Sequence, residues 1–232
     1  MKLTGVNWLL VALMVSLGCV SATAEKPSST GDTQVLFDGS SMQNFRCFKS
    51  KSIDPGWKII DGAITRTVDP SAEKKSRIGD LMTKEKFGAF DLELEFKISP
   101  GGNSGIIYHV TEDNAKAWHS GPEIQIIDNQ AGADAQKSGW LYQLYSTDTD
   151  ATKPAGQWNS LRVLITPDKC EHYVNGVKYV EYVKGSDDWN QRVAASKFSK
   201  QPNFGLAKSG HICLQDHGNE VAFRNIRITR LD

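Results

Sequence analysis

The segment GPEIQIIDNQ, at residues 121–130, places polar side chains in a run of isoleucines. Side chains alternate between the two faces of a strand, so Glu123 and Gln125 share one face while Ile124 and Ile126 share the other. Asp128 joins the first pair only if a β-bulge at residues 126–127 shifts the alternation, and we predict such a bulge. Two carboxylates on one face are suited to acid–base work on a sugar. The alternative is a solvated polar stripe that ends in a turn.

Other polar residues lie close to glycine-rich turns and aromatic residues. Asn103 lies in the loop PGGNSG, which leads into a strand that carries His109, and His119 comes just before the acidic strand. Gln215 and His217 have the same parity in a later strand. Aromatic rings stack on the C–H faces of sugars, and amide side chains bond hydroxyl groups. These residues therefore predict a carbohydrate site that Glu123 shares.

The clearest structural element is the segment FDLELEFKI at residues 90–98. Its apolar and charged residues alternate with period two, which is typical of a strand with one buried face and one solvated face. We expect its acidic residues to be solvated and assign them no function. The dipeptides Asp61-Gly62 and Asn175-Gly176 each predict a tight hairpin turn between flanking strands.

Turn residues separate short strand patterns along the whole chain, which is typical of an all-β protein. Helical patterns are weak, and only residues 187–198 predict a helix. Many short strands separated by turns indicate a β-sandwich, which we place in a single domain at residues 34–232. The other predicted strands are at residues 57–60, 63–65, 105–110, 123–127, 161–165, 171–173, 177–182, 211–216 and 221–231.

The N-terminal region predicts an export signal. An apolar run and then small residues end in Ala22-Thr23-Ala24, which matches a signal peptidase site, so we assign residues 1–24 to a signal peptide and residues 25–33 to a disordered lead. The competing interpretation is a lipoprotein anchored at Cys19. No other segment is apolar enough to span a membrane. We expect the protein to be exported, to the periplasm or beyond the cell.

Composition excludes several classes of partner. The chain of 232 residues has 27 basic and 27 acidic residues, which argues against nucleic acid or anionic lipid as a partner. Cys47, Cys170 and Cys213 match no zinc pattern, and we expect buried thiols with at most one disulfide. No spacing demands a metal, although a divalent cation on His and carboxylate ligands is possible. There is no dinucleotide fingerprint.

Taken together, these segments resemble the 3-keto-disaccharide hydrolase family, which includes 3-keto-glucoside lyases and 2-hydroxy-glucal hydratases. The resemblance extends from about residue 33 to the C-terminus, and each stretch alone is only weakly specific. The stretches are LFDGSSMQNF (36–45), WKIIDGAIT (57–65), FDLELEFKISPGGNSGIIYHV (90–110), GPEIQIIDNQ (121–130), KPAGQWNSLRV (153–163), HYVNGVKYVEY (172–182) and GHICLQDHGNEVAFRNIRITRL (210–231).

The resemblance implies a concanavalin A-like sandwich of two curved antiparallel sheets, with the site on the concave sheet. It also implies an exported enzyme that acts on a 3-keto-glycoside, so a separate sugar 3-dehydrogenase must act first. Elimination at C1 then needs a base near C2, a proton donor and a group that stabilises an enolate. We assign the base to Glu123 or His217, and Asp128 orients a partner or donates. The residues expected to hold the sugar are Asn103, His109, His119, Gln125, Gln215 and Arg224.

The chain also departs from the family pattern, in ways that affect substrate choice or activity. His109 stands where the family commonly has Arg, and Ile124 stands where it commonly has Tyr. Residues 123–128 also resemble a weakened form of the E-x-D-x-x-E strand of laminarinase-type glycosidases, with Gln125 in place of the middle Asp. Two other classes therefore stay open: a sugar-binding module without catalysis, and a glycosidase of unoxidised glucans.

Overall fold

The computed structural model describes residues 31–68 and 77–232, and the predicted signal peptide and Cys19 lie outside them. The described residues form strands joined by turns, with one α-helix, α1, at Asp187–Ala195, and short 3-10 helices at Ala117–His119 and Lys197–Lys200. The strands are β1 Thr33–Phe37, β2 Phe45–Cys47, β3 Trp57–Ile60, β4 Ala63–Arg66, β5 Leu81–Thr83, β6 Phe90–Ile98, β7 Asn103–Val110, β8 Glu123–Ile127, β9 Asn159–Ile165, β10 Cys170–Val174, β11 Val177–Tyr182, β12 His211–Leu214 and β13 Val221–Arg230.

The strands form two sheets, and every pairing recorded between them is antiparallel. The eight-stranded sheet has the order β11-β10-β9-β6-β13-β4-β3, with β1 paired to β13. The five-stranded sheet has the order β2-β5-β12-β7-β8. The predicted antiparallel β-sandwich is therefore confirmed. Strands β1, β2 and β5 were not predicted, because each is short and lacks a long period-two pattern.

The core lies between the two sheets and is built from the apolar positions of alternating strands. Leu92 and Phe96 of β6 face Ile124, Ile126 and the rest of the five-stranded sheet in one buried cluster. Each fully buried aliphatic or aromatic side chain stabilises the fold by about 1.5–3 kcal/mol relative to an exposed one. The alternation that places isoleucines in this core places the residues between them on the outer face of the sheet.

The acidic face of β6 is paired rather than simply solvated. The Asp91 carboxylate accepts hydrogen bonds from Arg162 Nε and Nη2, and it is buried by this contact. Glu93 pairs with Arg227, and Glu95 pairs with Arg224. The antiparallel register places arginines of β9 and β13 opposite the acids of β6. The sequence pattern showed which face was polar but not which cations from distant strands would meet it.

The predicted helix is shorter than expected. Ser186 caps α1 by accepting the Trp189 N–H, but Ser196 is extended and separates α1 from the 3-10 helix at Lys197–Lys200. No described helix is long and apolar enough to cross a membrane. The thiols of Cys47, Cys170 and Cys213 are free and buried, as expected.

Candidate active site

Strand β8 lies on the five-stranded sheet with its polar residues on the outer face. Ile124 and Ile126 are fully buried in the core, so Glu123 and Gln125 point away from it. The register between β7 and β8 runs without a shift from Ile107↔Glu123 to Asn103↔Ile127. The predicted bulge at residues 126–127 is therefore wrong.

The free edge of β8 is covered by the loop at residues 137–145. The Gln125 N–H donates to the Trp140 carbonyl, and the Gln125 carbonyl accepts from the Gly139 N–H. The Tyr142 N–H donates to the Glu123 carbonyl. These bonds satisfy the backbone of an edge strand, and they place the Tyr142 side chain next to the strand that carries Glu123.

Glu123 is a buried carboxyl that lies against the neighbouring strand. Only 7 % of its surface is exposed, and its side chain lies so close to Gly105 that a β-carbon there would be 2.7 Å from Glu123 Oε1. Burial raises the pKa of Glu123 to about 8, and the charge of Asp80 adds to this rise. The charge of Lys197 and a hydrogen bond from Gln215 act in the opposite direction. A carboxyl with this pKa exchanges protons near neutral pH.

Unpartnered amide groups lie on the same sheet face as Glu123. In residues 31–68 and 77–232, five buried side-chain polar atoms lack a hydrogen-bond partner, and four of them belong to Asn103, Gln125 and Gln215. Both amide atoms of Gln125 are in this set, and its side chain is 1 % exposed. Asn103 and Gly105 are two positions apart in β7, so both lie on the same sheet face as Gln125. An unpartnered buried polar group destabilises the fold, so these atoms are available to a polyhydroxylated ligand.

Four further charged or polar residues interact electrostatically with Glu123, and the sequence alone did not point to them. Asp80, just before β5, interacts electrostatically with Glu123, and burial raises its pKa to about 6. Lys197 interacts with both Glu123 and Asp134, and the Tyr142 hydroxyl donates to Asp134 over 2.9 Å. None of these four residues lies in a strand with a strong sequence pattern. Only the pairing of distant segments brings them to Glu123.

Asp128 organises a loop and lacks the bulge that would have brought it beside Glu123. Its carboxylate accepts the N–H groups of Gly101 at 2.9 Å and Gln130 at 3.0 Å. These bonds, together with one from the Ala131 N–H, lower the pKa of Asp128. Since β8 is regular, Asp128 has the parity of the inward isoleucines. Its contacts with backbone amides account for a carboxylate at this position.

His109 also lies elsewhere. Its Nε2–H donates to the Gly88 carbonyl at 2.8 Å, and its Nδ1 accepts from Lys184 Nζ at 2.7 Å. The ring is buried and packs edge-on against Phe90 and Tyr108. Burial and the Lys184 charge lower the pKa of His109 to about 4. The expectation that His109 holds a sugar is therefore wrong, because its ring nitrogens are engaged inside the protein.

Arg224, expected in the same site, lies on the other sheet. It pairs with Glu95 on the outer face of the eight-stranded sheet and stacks over Trp158. That face holds an open groove of about 930 Å³ whose lining includes Glu93, Glu95 and Arg162. The charged groups there are paired with one another, whereas the amides beside Glu123 are not. We therefore place the candidate site on the five-stranded sheet.

His119 and His217 remain predictions. His119 ends the 3-10 helix at Ala117–His119 and contacts the Trp118 ring, with a centroid distance of 4.3 Å. His217 is half-buried and follows Gln215 by two residues, beyond the end of β12. Among the described residues, no group of three or more His, Cys, Asp or Glu side chains is arranged to hold a metal ion.

Relatives of known sequence or structure resemble most of the chain. A 3-keto-disaccharide hydrolase from Bacteroides thetaiotaomicron is 32 % identical, and the match covers 85 % of this chain and 78 % of the relative. The crystal structure of a protein from Parabacteroides distasonis, described as a candidate glycosyl hydrolase, is also 32 % identical and has a TM-score of 0.76. That match covers 86 % of this chain and 94 % of the other.

A more distant similarity concerns the fold alone. A family 16 endo-β-1,3(4)-glucanase is 13 % identical, has a TM-score of 0.52, and matches 86 % of this chain and 95 % of its own. This confirms the expected concanavalin A-like sandwich. The family model of the 3-keto-alpha-glucoside-1,2-lyase-like domain matches residues 32–229. This chain is therefore a member of the 3-keto-alpha-glucoside-1,2-lyase-like family, whose known relatives point to a carbohydrate-active enzyme.

Proposed function

We propose that this chain cleaves 3-keto-glycosides by elimination, with Glu123 as the base. The Glu123 carboxylate takes the proton from C2, and the electrons of that bond form the C2–C3 double bond of an enolate. The enolate then collapses to the ketone, a C1–C2 double bond forms, and the bond from C1 to the glycosidic oxygen breaks. Glu123 returns its proton to the leaving oxygen. The product is a 3-keto-2-hydroxy-glycal, and addition of water gives net hydrolysis.

The observation that carries the proposal is the buried Glu123 carboxyl beside unpartnered amides. A pKa of about 8 makes its carboxylate a stronger base than an ordinary glutamate, while an accessible fraction is still ionised at neutral pH. Gln125 offers its whole amide group, and Gln215 its amide oxygen, to the sugar hydroxyls. A base with bound hydroxyls around it is the minimum that removal of a C2 proton requires.

Ordinary retaining hydrolysis is supported less well. That mechanism uses two carboxyl groups about 5–5.5 Å apart. On β8 the residue next to Glu123 on the same face is Gln125, which is an amide. The other carboxylates of this region already accept hydrogen bonds within the protein: Asp128 from Gly101 and Gln130, Asp80 from the Asp216 N–H, and Asp134 from the Tyr142 hydroxyl. Elimination from a 3-keto sugar needs only one such carboxylate, because the ketone acidifies the C2 proton.

The keto sugar that this reaction consumes must come from another enzyme. A separate sugar 3-dehydrogenase must supply the substrate, because elimination consumes a ketone and produces none. The N-terminal pattern supports action after export, in the periplasm or outside the cell. A divalent cation would assist the enolate, although the described residues offer no cluster for one.

The test is to incubate the protein with 3-keto-trehalose in D₂O and to follow the products by NMR. Elimination exchanges the C2 proton, so we expect the glycal and then 3-keto-glucose with deuterium at C2. Direct hydrolysis would leave hydrogen at C2, and a sample without enzyme corrects for spontaneous exchange. Glu123→Gln should lower the rate by at least about 10²-fold, since the amide cannot take a proton, while Asp113→Asn, at an exposed site, should leave it unchanged.

Three results would contradict the proposal. Binding of the sugar without turnover would indicate a carbohydrate-binding module. Turnover of an unoxidised glucan in preference to the keto sugar would indicate an ordinary glycosidase. Equal rates for the native protein and Glu123→Gln would move the base elsewhere, with His217 as the next residue to test.

A further inference from the structure

Lys197 stands at the first position of a 3-10 helix that is firmly anchored. The helix spans Lys197–Lys200, and the Ser196 hydroxyl accepts the Phe198 N–H at its start. Phe198 is buried and stacks on Phe204, with ring centroids 3.9 Å apart. The backbone under Lys197 is therefore fixed by packing, although the Lys197 side chain itself is exposed.

The Lys197 ammonium lies over a group of aromatic rings at the site. Its Nζ is 4.2 Å from the centroid of Tyr142, 5.0 Å from that of Trp118 and 5.3 Å from that of Phe198. The electron-rich face of an aromatic ring attracts a cation at these distances, so the three rings help to fix the position of the ammonium. Ring faces direct the ammonium without using its hydrogen-bond donors, so its three N–H groups stay available.

Two carboxyl groups lie near this ammonium, but neither binds it. Glu123 and Asp134 both interact with Lys197 electrostatically, yet within residues 31–68 and 77–232 Lys197 forms no ion pair or hydrogen bond with either. Asp134 instead accepts the Tyr142 hydroxyl. The Lys197 ammonium is therefore more than 4.0 Å from both carboxylates and, within the described part of the chain, keeps its donors unused, so it is available to a substrate oxygen.

We propose that Lys197 is a second catalytic residue, whose ammonium binds the C3 oxygen of the sugar while Glu123 removes the C2 proton. This inference rests on the function proposed above. When the C2–H bond breaks, the negative charge moves to the C3 oxygen, where the ammonium stabilises it by charge and hydrogen bonding. When C1 loses the glycosidic oxygen, the charge leaves C3 and Lys197 keeps its own proton. No external reactant is needed.

The test compares Lys197→Met and Lys197→Arg with Lys200→Met, a matched change at the exposed end of the same short helix. For 3-keto-trehalose, we expect Lys197→Met to lower kcat by about 10²–10³-fold with KM changed less than about threefold, because the ammonium acts on charge that develops in the transition state. Lys197→Arg should recover part of kcat, and Lys200→Met should match the native protein.

A second readout separates catalysis from a structural role. The groups that face Glu123 are Lys197, Asp80, Asp134 and Tyr142, and of these only Lys197 lowers its pKa by charge. The rising limb of the pH–rate profile should therefore move to higher pH in Lys197→Met. A native protein without turnover would refute the proposed function. If the native protein is active and Lys197→Met has the same kcat and the same pH profile, Lys197 has no catalytic role. The proposed function of Glu123 would still stand in that case.

Discussion

Glu123 and Gly105 lie against each other on adjacent strands of the five-stranded sheet. A β-carbon at residue 105 would stand 2.7 Å from Glu123 Oε1 and 2.9 Å from its Cγ. Glycine leaves the space in which the buried carboxyl lies. Gln215, the residue that follows β12, fixes the backbone there because its N–H donates to the Gly105 carbonyl. The position of the proposed base thus depends on an absent side chain.

Gly105→Ala should displace the Glu123 carboxyl. We expect a loss of about 1–3 kcal/mol in the free energy of unfolding, since added volume in a packed site forces a shift, together with a lower kcat. Chemical denaturation of both single variants and of Gly105→Ala with Glu123→Ala measures the coupling. Gly105→Ala should lower the free energy of unfolding by a smaller amount when Glu123 is already replaced by alanine. Strictly additive effects would show that the two side chains do not compete for this space.

Glu123→Gln should make the protein more stable at high pH. The pKa of Glu123 is about 8 in the folded state, against 4.5 for an ordinary glutamate, so the folded state holds the proton more tightly. The stability that the protonated Glu123 contributes is fully present below pH 4.5 and is lost as the pH rises to about 8, at up to about 1.4 kcal/mol per pH unit. In urea unfolding at pH 5.5, 7 and 8.5, the free energy of unfolding of Glu123→Gln should increase relative to that of the native protein as the pH rises. The exposed change Asp113→Asn is the control, and a constant difference across pH would contradict the prediction.

Gln125→Leu should stabilise the fold and weaken substrate binding. Both amide atoms of Gln125 are buried without a partner, and their removal relieves about 1–3 kcal/mol of desolvation penalty. The same change removes the hydrogen bonds proposed for the sugar, so KM should rise at least about tenfold. Gln191→Leu, exposed on α1, should change neither quantity. A destabilised Gln125→Leu protein would mean that the amide already has partners in solution.

Asp128→Ala should act on stability rather than on chemistry. The carboxylate accepts the N–H groups of Gly101 and Gln130, and its loss leaves both without that partner, at about 2–3 kcal/mol in total. Because these bonds lower the pKa of Asp128, the stability that they contribute is present above its unfolded pKa and is lost as the pH falls. Thermal unfolding and kcat measure the two effects. A folded variant with kcat lowered more than about 10²-fold would return Asp128 to the catalytic set.

The mature protein should begin at Glu25. Ala22-Thr23-Ala24 fits a signal peptidase site better than the residues before Cys19 fit lipidation, because Ser16 stands where a leucine is usual. Mass spectrometry of the protein exported by its native host measures the N-terminus. A diacylglycerol adduct on Cys19 would show that the lipoprotein alternative is correct.

Local pattern was sufficient to predict the sandwich and the identity of its inner faces. The alternation in β6 and in Glu123–Ile127 is a property of consecutive residues, since successive side chains in a strand point to opposite sides. It therefore predicted that Ile124 and Ile126 are buried and that Glu123 and Gln125 share the other face. The resemblance to a known family could also be recognised from the sequence, because each motif lies within one short segment.

Tertiary structure decided which polar groups meet. His109 and Arg224 looked equivalent to Gln125 by residue type, yet His109 is engaged by Gly88 and Lys184, and Arg224 faces outward on the opposite sheet. Lys197 and Asp80 interact electrostatically with Glu123 although Lys197 lies in the short helix after α1 and Asp80 lies just before β5, both far from β8 in the chain. Burial and charge at Glu123 depend on several segments at once, so no single segment of sequence could reveal the raised pKa that supports its proposed role as a base.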